Sequence, residues 1–185
     1  MNIKTFLDFI TEKSLSDLDI WPPANTEAIM QSLLPPSVLG NFIPIAQNGA
    51  DCLLCLWHIR DKPIADPENL PVVWIDNEGF NSVVATNIQE VLSILPYGMG
   101  CIYDIVSYWN YYIESPTDYQ TPTRRYTKKY LKAQLKEMSL TEDYPHLIAF
   151  NKSNNIKTTA DPVSVIGDAL KTLPKIQPWL DERRS

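Results

Sequence analysis

Phe42-Ile43-Pro44-Ile45-Ala46-Gln47-Asn48-Gly49-Ala50-Asp51-Cys52-Leu53-Leu54-Cys55-Leu56-Trp57-His58-Ile59 is the stretch that decides the fold. Two apolar runs, 42–46 and 52–59, flank the polar residues 47–51. Asn48-Gly49 is a strong turn signal because both residues tolerate positive φ, so the runs are expected to close as an antiparallel hairpin. Residues 61–70 are polar with two prolines and predict a loop. Beyond them, 71–76 and 81–86 flank Asn77-Glu78-Gly79-Phe80, and their β-branched residues suit a pleated surface, giving a second hairpin. Four strands in short succession predict an antiparallel sheet.

Helices are expected on either side of this β region. Ile3, Phe6, Leu7 and Ile10 recur at i, i+3, i+4, i+7 and share one helix face. Trp21-Pro22-Pro23 stops anything helical before it, and Asn25 is expected to cap a short helix running through Leu34 to Pro35-Pro36. Asn87 with Glu90 resembles a capping box, and Ile88, Val91, Leu92 and Leu95 supply that helix's buried stripe. Gly98 and Gly100 then break the chain. Ile102, Ile105, Val106, Trp109 and Ile113 mark the next helix. After a loop over 114–122, Tyr126, Tyr130, Leu131, Leu135 and Met138 mark a basic helix at 123–138. A last apolar set, Val163, Ile166, Ala169 and Leu170, precedes Pro174. The expected architecture is one α+β domain over 1–185: an antiparallel twisted sheet of four or more strands with helices packed on it. Residues 123–185 form a helical C-terminal extension on the same core.

Composition narrows the class. A chain of 185 residues that is 44% hydrophobic can bury one sizeable core. Met1-Asn2-Ile3-Lys4-Thr5-Phe6 lacks the pattern of a secretory signal, and no apolar run approaches the length of a membrane span. Three cysteines at irregular spacing fit reduced thiols, so a cytoplasmic protein is expected. Charge is unevenly spread. Residues 1–121 hold 4 Lys/Arg against 15 Asp/Glu, whereas 122–139 hold 6 against 1. A body this acidic repels polyanions and favours basic partners, so nucleic acid is not expected as a ligand.

A search for chemistry returns ordinary explanations. Cys52-Leu53-Leu54-Cys55 lies in an expected strand, where residues three apart point to opposite faces, and it lacks the further ligands a zinc site needs; both thiols are expected in the core. The two histidines, His58 and His146, have no nearby nucleophile and orienting carboxylate and are expected at a rim or in a loop. Neither a G-x-S-x-G elbow nor a P-loop is present, and Gly98-x-Gly100 is too short for a dinucleotide fingerprint. Asp76, Asn77 and Glu78 favour a turn, and are more plausible as part of an acidic binding edge than as a metal or acid-base pair. The lysines and arginines of 123–138 are expected on a solvated helix face. Tyr103, Tyr108, Trp109, Tyr111 and Tyr112 are expected in the core and at its rim. No metal or cofactor is expected.

Several of these segments occur in a familiar order. Trp21-Pro22-Pro23, Leu34-Pro35-Pro36, then Phe42-Ile43-Pro44-Ile45-Ala46 leading into Asn48-Gly49-Ala50-Asp51-Cys52-Leu53, Pro71-Val72-Val73-Trp74-Ile75-Asp76-Asn77-Glu78 and the helix at 87–95 resemble the SUKH superfamily over roughly residues 20–95. That group includes fungal regulators of cell-wall synthesis and many bacterial immunity proteins. Only residues 37–41 separate the Leu-Pro-Pro segment from the Phe-Ile-Pro-Ile strand, where family members carry a longer helix. The family's frequent Asp-His-Glu stands here as Asp76-Asn77-Glu78. The resemblance implies a compact α+β domain without enzymatic activity that binds a partner through a pocket or edge. The functional expectation is therefore a non-catalytic immunity-type or regulatory protein that binds another protein, such as a basic toxin domain. Its binding face would carry Asp51, Asp76 and Glu78 for electrostatic steering and Trp57 as an aromatic anchor. The rival expectation is a ligand-binding module or small enzyme with a pocket near Trp57, Trp74, His58 and Asp76; a third is an interaction protein acting through the basic helix.

Overall fold

The structure, a computed structural model, describes residues 3–59, 66–115 and 126–184. It contains a four-stranded antiparallel sheet in the order β1-β2-β3-β4, formed by Phe42–Gln47, Leu53–Trp57, Val72–Ile75 and Ser82–Ala85. Among the described residues the α-helices are α1 Ile3–Lys13, α2 Thr26–Leu33, α3 Ile88–Ile94, α4 Met99–Glu114, α5 Lys128–Met138, α6 Tyr144–Ser153, α7 Pro162–Thr172 and α8 Ile176–Asp181.

Strands β2, β3 and β4 are buried along their whole length, because helices cover both faces of the sheet. Adjacent residues of β2 point to opposite faces. Leu54 and Leu56 therefore join Val72 and Trp74 on one side, and Leu53, Cys55 and Trp57 join Val73 and Ile75 on the other. The first layer is filled by Phe6 and Ile10 of α1, the apolar stripes of α3 and α4, Leu131 of α5, and Leu147 and Phe150 of α6. The second holds Met30 of α2 with Ile176, Trp179 and Leu180 of α8. Helix α7 serves both, giving Val163 and Ile166 to the first and Ala169 to the second. Residues 131–180 thus belong to the same core as the sheet. Edge strand β1 carries Pro44 at a register shift, a position where the missing N–H takes nothing from the ladder.

Local chemistry departs from expectation in three places. Helix α2 starts where expected, but Asn25 adopts a left-handed φ of 52° and its side chain makes no cap hydrogen bond. Gly98, at φ 80°, precedes α4, whereas Gly100 lies inside that helix and breaks nothing. The basic helix begins at Lys128, capped by Thr127; residues 123–125 and most of the loop expected at 114–122 lie outside the described residues.

Gly167 is where α7 meets α4. A Cβ placed there would stand 2.5 Å from Cζ2 and 2.9 Å from Cε2 of Trp109. That ring is held by its Nε1–H donating to the Val163 carbonyl at 3.2 Å. In an open helix Gly→Ala stabilises by about 1 kcal/mol. Here Gly167→Ala is expected to destabilise instead, by about 1 kcal/mol net, since overpacking costs about 1–3 kcal/mol. The sign should revert in a Trp109→Leu background, and urea midpoints of the four proteins check this.

Candidate functional site

Both hairpin turns leave the sheet at the same end, because Leu53 pairs with Ile75. In the β1–β2 turn the Asn48 carboxamide oxygen accepts from the N–H groups of Ala50 (3.0 Å) and Cys52 (2.9 Å). Asp51, not Asn48 or Gly49, takes the left-handed conformation, at φ 60°. The Gly49 N–H donates to the Asp19 carboxylate at 2.8 Å. In the β3–β4 turn Asp76 accepts from the Glu78 N–H at 2.7 Å, and Gly79 completes the bend at φ 89°. The Asn77 side chain donates to the Ala50 carbonyl at 2.8 Å and ties the two turns together.

This coupled end presents Asp51 and Glu78 to solvent. Among the described residues neither carboxylate is engaged in a hydrogen bond or an ion pair. Trp21 sits beside Asp51, 37% exposed, its backbone bridged to Gln47 at the edge of β1 and its indole N–H directed at Asp19 (3.2 Å). Trp21, Pro22, Gln47, Asn48 and Asp51 line a shallow hollow of about 290 Å³. Residues 14–59 and 63–123 contain neither Lys nor Arg, so nothing in these stretches neutralises the acidic end.

Two of the four expected binding residues are not on this surface. Trp57 is 0% exposed; its ring packs edge-on against Trp179 at 5.3 Å within the second layer, so it cannot anchor a partner on the folded protein. Asp76 is 2% exposed, and one of its oxygens accepts the Trp74 indole N–H at 2.9 Å. It is therefore a structural acceptor that shapes the turn and cannot steer a partner. The rival pocket does not form either. Trp57 and Trp74 lie on opposite faces of the sheet, and His58 follows the end of β2 opposite to that at which Asp76 follows β3. What sequence reasoning missed is the pair Asp19 and Trp21. The stretch Trp21-Pro22-Pro23 signalled a helix stop and one segment of the family resemblance but no surface role, because the tryptophan's place beside the first turn depends on a long-range strand bridge.

Cys52 and Cys55 face opposite layers, as strand geometry requires. Burial pushes the Cys52 thiol up to about 11, reinforced by the nearby Asp76 carboxylate and opposed by a backbone hydrogen bond from Asn77. Burial, and then Asp104, raises Cys101 to about 12, and burial alone raises Cys55 further still. All three thiols are free and protonated at neutral pH. Among the described residues no group of three His, Cys, Asp or Glu side chains could hold a metal ion. His146 is exposed on α6, and Lys128, Lys129, Lys132 and Lys136 are exposed on α5.

The raised thiols make stability fall in alkali. Above about pH 9 the unfolded chain releases thiol protons that the folded chain retains, so the native state loses ground as pH rises from 9 towards 11. Each thiol contributes up to about 1.4 kcal/mol per pH unit. Under reducing conditions the urea midpoint should be level up to pH 9 and then decline, and Cys55→Ala should remove part of that decline. A midpoint level through pH 10.5 would contradict the burial described.

Among the described residues no single helix is long and apolar enough to cross a membrane. No protein-family model matches this chain, and neither a curated protein nor a solved structure matches it.

Proposed function

We propose that this chain is a non-catalytic, cytoplasmic protein-binding module of the immunity or regulatory type, and that it captures a basic partner protein, such as a toxin domain, through the hairpin end of its sheet. The observation that carries the proposal is the pair of carboxylates, Asp51 and Glu78, unengaged among the described residues, on two turns locked together by Asn77, with the partly exposed Trp21 beside Asp51. Loops held on a rigid scaffold are where recognition is concentrated. Complementary charge speeds encounter and rejects wrong partners, and a tryptophan is among the side chains that most often dominate an interface. The resemblance to the SUKH superfamily supports the same reading, with Trp21 taking the place first given to Trp57 and Asp19 holding Trp21 and the first turn in position. Three buried free cysteines suit a reducing compartment.

The test begins with the tagged protein as bait in native-host lysate, followed by association kinetics with the protein it retains. Asp51→Lys combined with Glu78→Lys should lower the association rate at least about tenfold at about 20 mM salt, and the difference should shrink at about 500 mM, where screening is nearly complete. The urea midpoint should fall only slightly, by less than about 1 kcal/mol of stability: both side chains are solvated, and the cost comes from placing Lys at the left-handed φ of 60° that Asp51 tolerates. An unchanged rate, or no specifically retained protein, counts against the proposal.

A further inference from the structure

We propose that the cleft between the start of β4, the last turns of α4 and helix α8 binds a small neutral molecule that carries hydroxyl or amide groups on one side and an apolar face on the other. The cleft measures about 290 Å³, close to the lower end of ligand-binding cavities and enough for a molecule of one sugar ring. This inference does not depend on the protein-binding reading, since none of Asp19, Trp21, Asp51 and Glu78 lines the cleft.

Three carboxamides from separate parts of the chain, Asn81, Asn110 and Gln177, converge there with the Ser82 hydroxyl. Their mutual contacts are long. Ser82 is 2% exposed, yet its Oγ lies 3.4 Å from both the Val83 carbonyl and the Asn110 Oδ1, and the Asn81 amide nitrogen lies 3.4 Å from the Gln177 Oε1. Hydroxyl hydrogen bonds normally close to about 2.7–2.8 Å. The Asn81 Oδ1 is taken by the Asp76 N–H at 2.9 Å and the Gln177 Nε2 by Asp181, so the capacity for a better partner lies with the Ser82 hydroxyl, the Asn110 carboxamide, the Asn81 amide N–H groups and the Gln177 Oε1. A carboxamide both donates and accepts, which matches ligand hydroxyls and amides. Phe80 and Ile113 supply the apolar wall. The two charged side chains in the lining, Asp181 and Lys175, are both exposed, and Asp181 is engaged by Gln177 at 2.9 Å and Arg184 at 3.5 Å, so the buried part of the lining is uncharged and suits a neutral molecule.

The side-chain amide resonances of Asn81 and Asn110 report on the cleft directly. The full chain is titrated with N-acetylglucosamine, glucose and N-acetylglycine amide, with acetate and methylammonium as charged comparators. At least one neutral probe should shift both resonances saturably. Asn110→Leu should weaken that binding about tenfold or more, the equivalent of one lost hydrogen-bonding group. Ile113→Trp should abolish it; this residue is 38% exposed, so the change fills the cleft from the rim even if the Asn110 variant fails to fold. The proposal is overturned if no neutral probe shifts these resonances up to about 50 mM, well above the millimolar constants expected for molecules this small. It is equally overturned if the shifts survive in Ile113→Trp or appear only with the charged molecules.

Discussion

Asp76→Ala should lower stability by about 3 kcal/mol. The carboxylate is buried and accepts from three donors, the Trp74 indole N–H at 2.9 Å, the Glu78 backbone N–H at 2.7 Å and, more weakly, the Cys52 thiol at 3.7 Å. Removing it strands the indole N–H inside the core and loosens the turn, and each buried donor left unsatisfied costs about 1–3 kcal/mol. Trp74→Phe removes the donor instead of the acceptor, so the two changes should not add: their coupling in a double-mutant cycle should reach about 1–2 kcal/mol. Additive costs would mean that the indole and the carboxylate act independently. Any loss of partner binding in Asp76 variants would accordingly arise from the fold, which is why Asp51 and Glu78 carry the functional test.

Trp57→Ala should cost about 3–5 kcal/mol, the range for deleting a large core aromatic. Its ring fills the second layer against Trp179, and Phe42 meets Trp179 from another side at 6.0 Å. Trp57→Phe should cost much less than Trp74→Phe, because among the described residues the Trp57 Nε1 has no hydrogen-bond partner, whereas the Trp74 Nε1 serves Asp76. Chemical denaturation of the three variants decides the matter. A Trp57→Ala protein as stable as the parent would contradict the burial of this side chain.

The two tryptophans also show what could be read from the amino-acid order. Strand positions and the antiparallel pairing were legible, because Leu53-Leu54-Cys55-Leu56-Trp57 and Val72-Val73-Trp74-Ile75 lie between residues that favour turns. Their unbroken apolar character follows from a sheet covered on both faces, where alternation disappears. Once both faces are buried, a Trp in the run is a core residue, and the same reasoning removes it from the binding surface. Turn chemistry was only half legible: the first turn forms, yet Asp51 rather than Gly49 takes the left-handed position because Asn48 and Asp19 hold the backbone around it. The capping box at Asn87 is present in altered form, with Glu90 reaching back to the Thr86 N–H at 2.8 Å. Helices α6 and α8 gave no sequence signal. The first buries Asn151, which donates to the Leu92 carbonyl at 2.8 Å where an amphipathic pattern would place an apolar residue, and the second has six residues with Pro178 among them. Asp19 and Trp21 were invisible as site residues because their position depends on contacts with 47–49, far along the chain.

The central claim, that the acidic hairpin end is the recognition surface, is tested most directly by placing a photo-crosslinking amino acid at Glu78 or, in a second protein, at Lys129 on α5, and irradiating each in native-host lysate. The account expects a discrete adduct from position 78 with a protein of net positive charge, and none from position 129. An adduct from position 129 alone, or from both positions with the same partner, would contradict it.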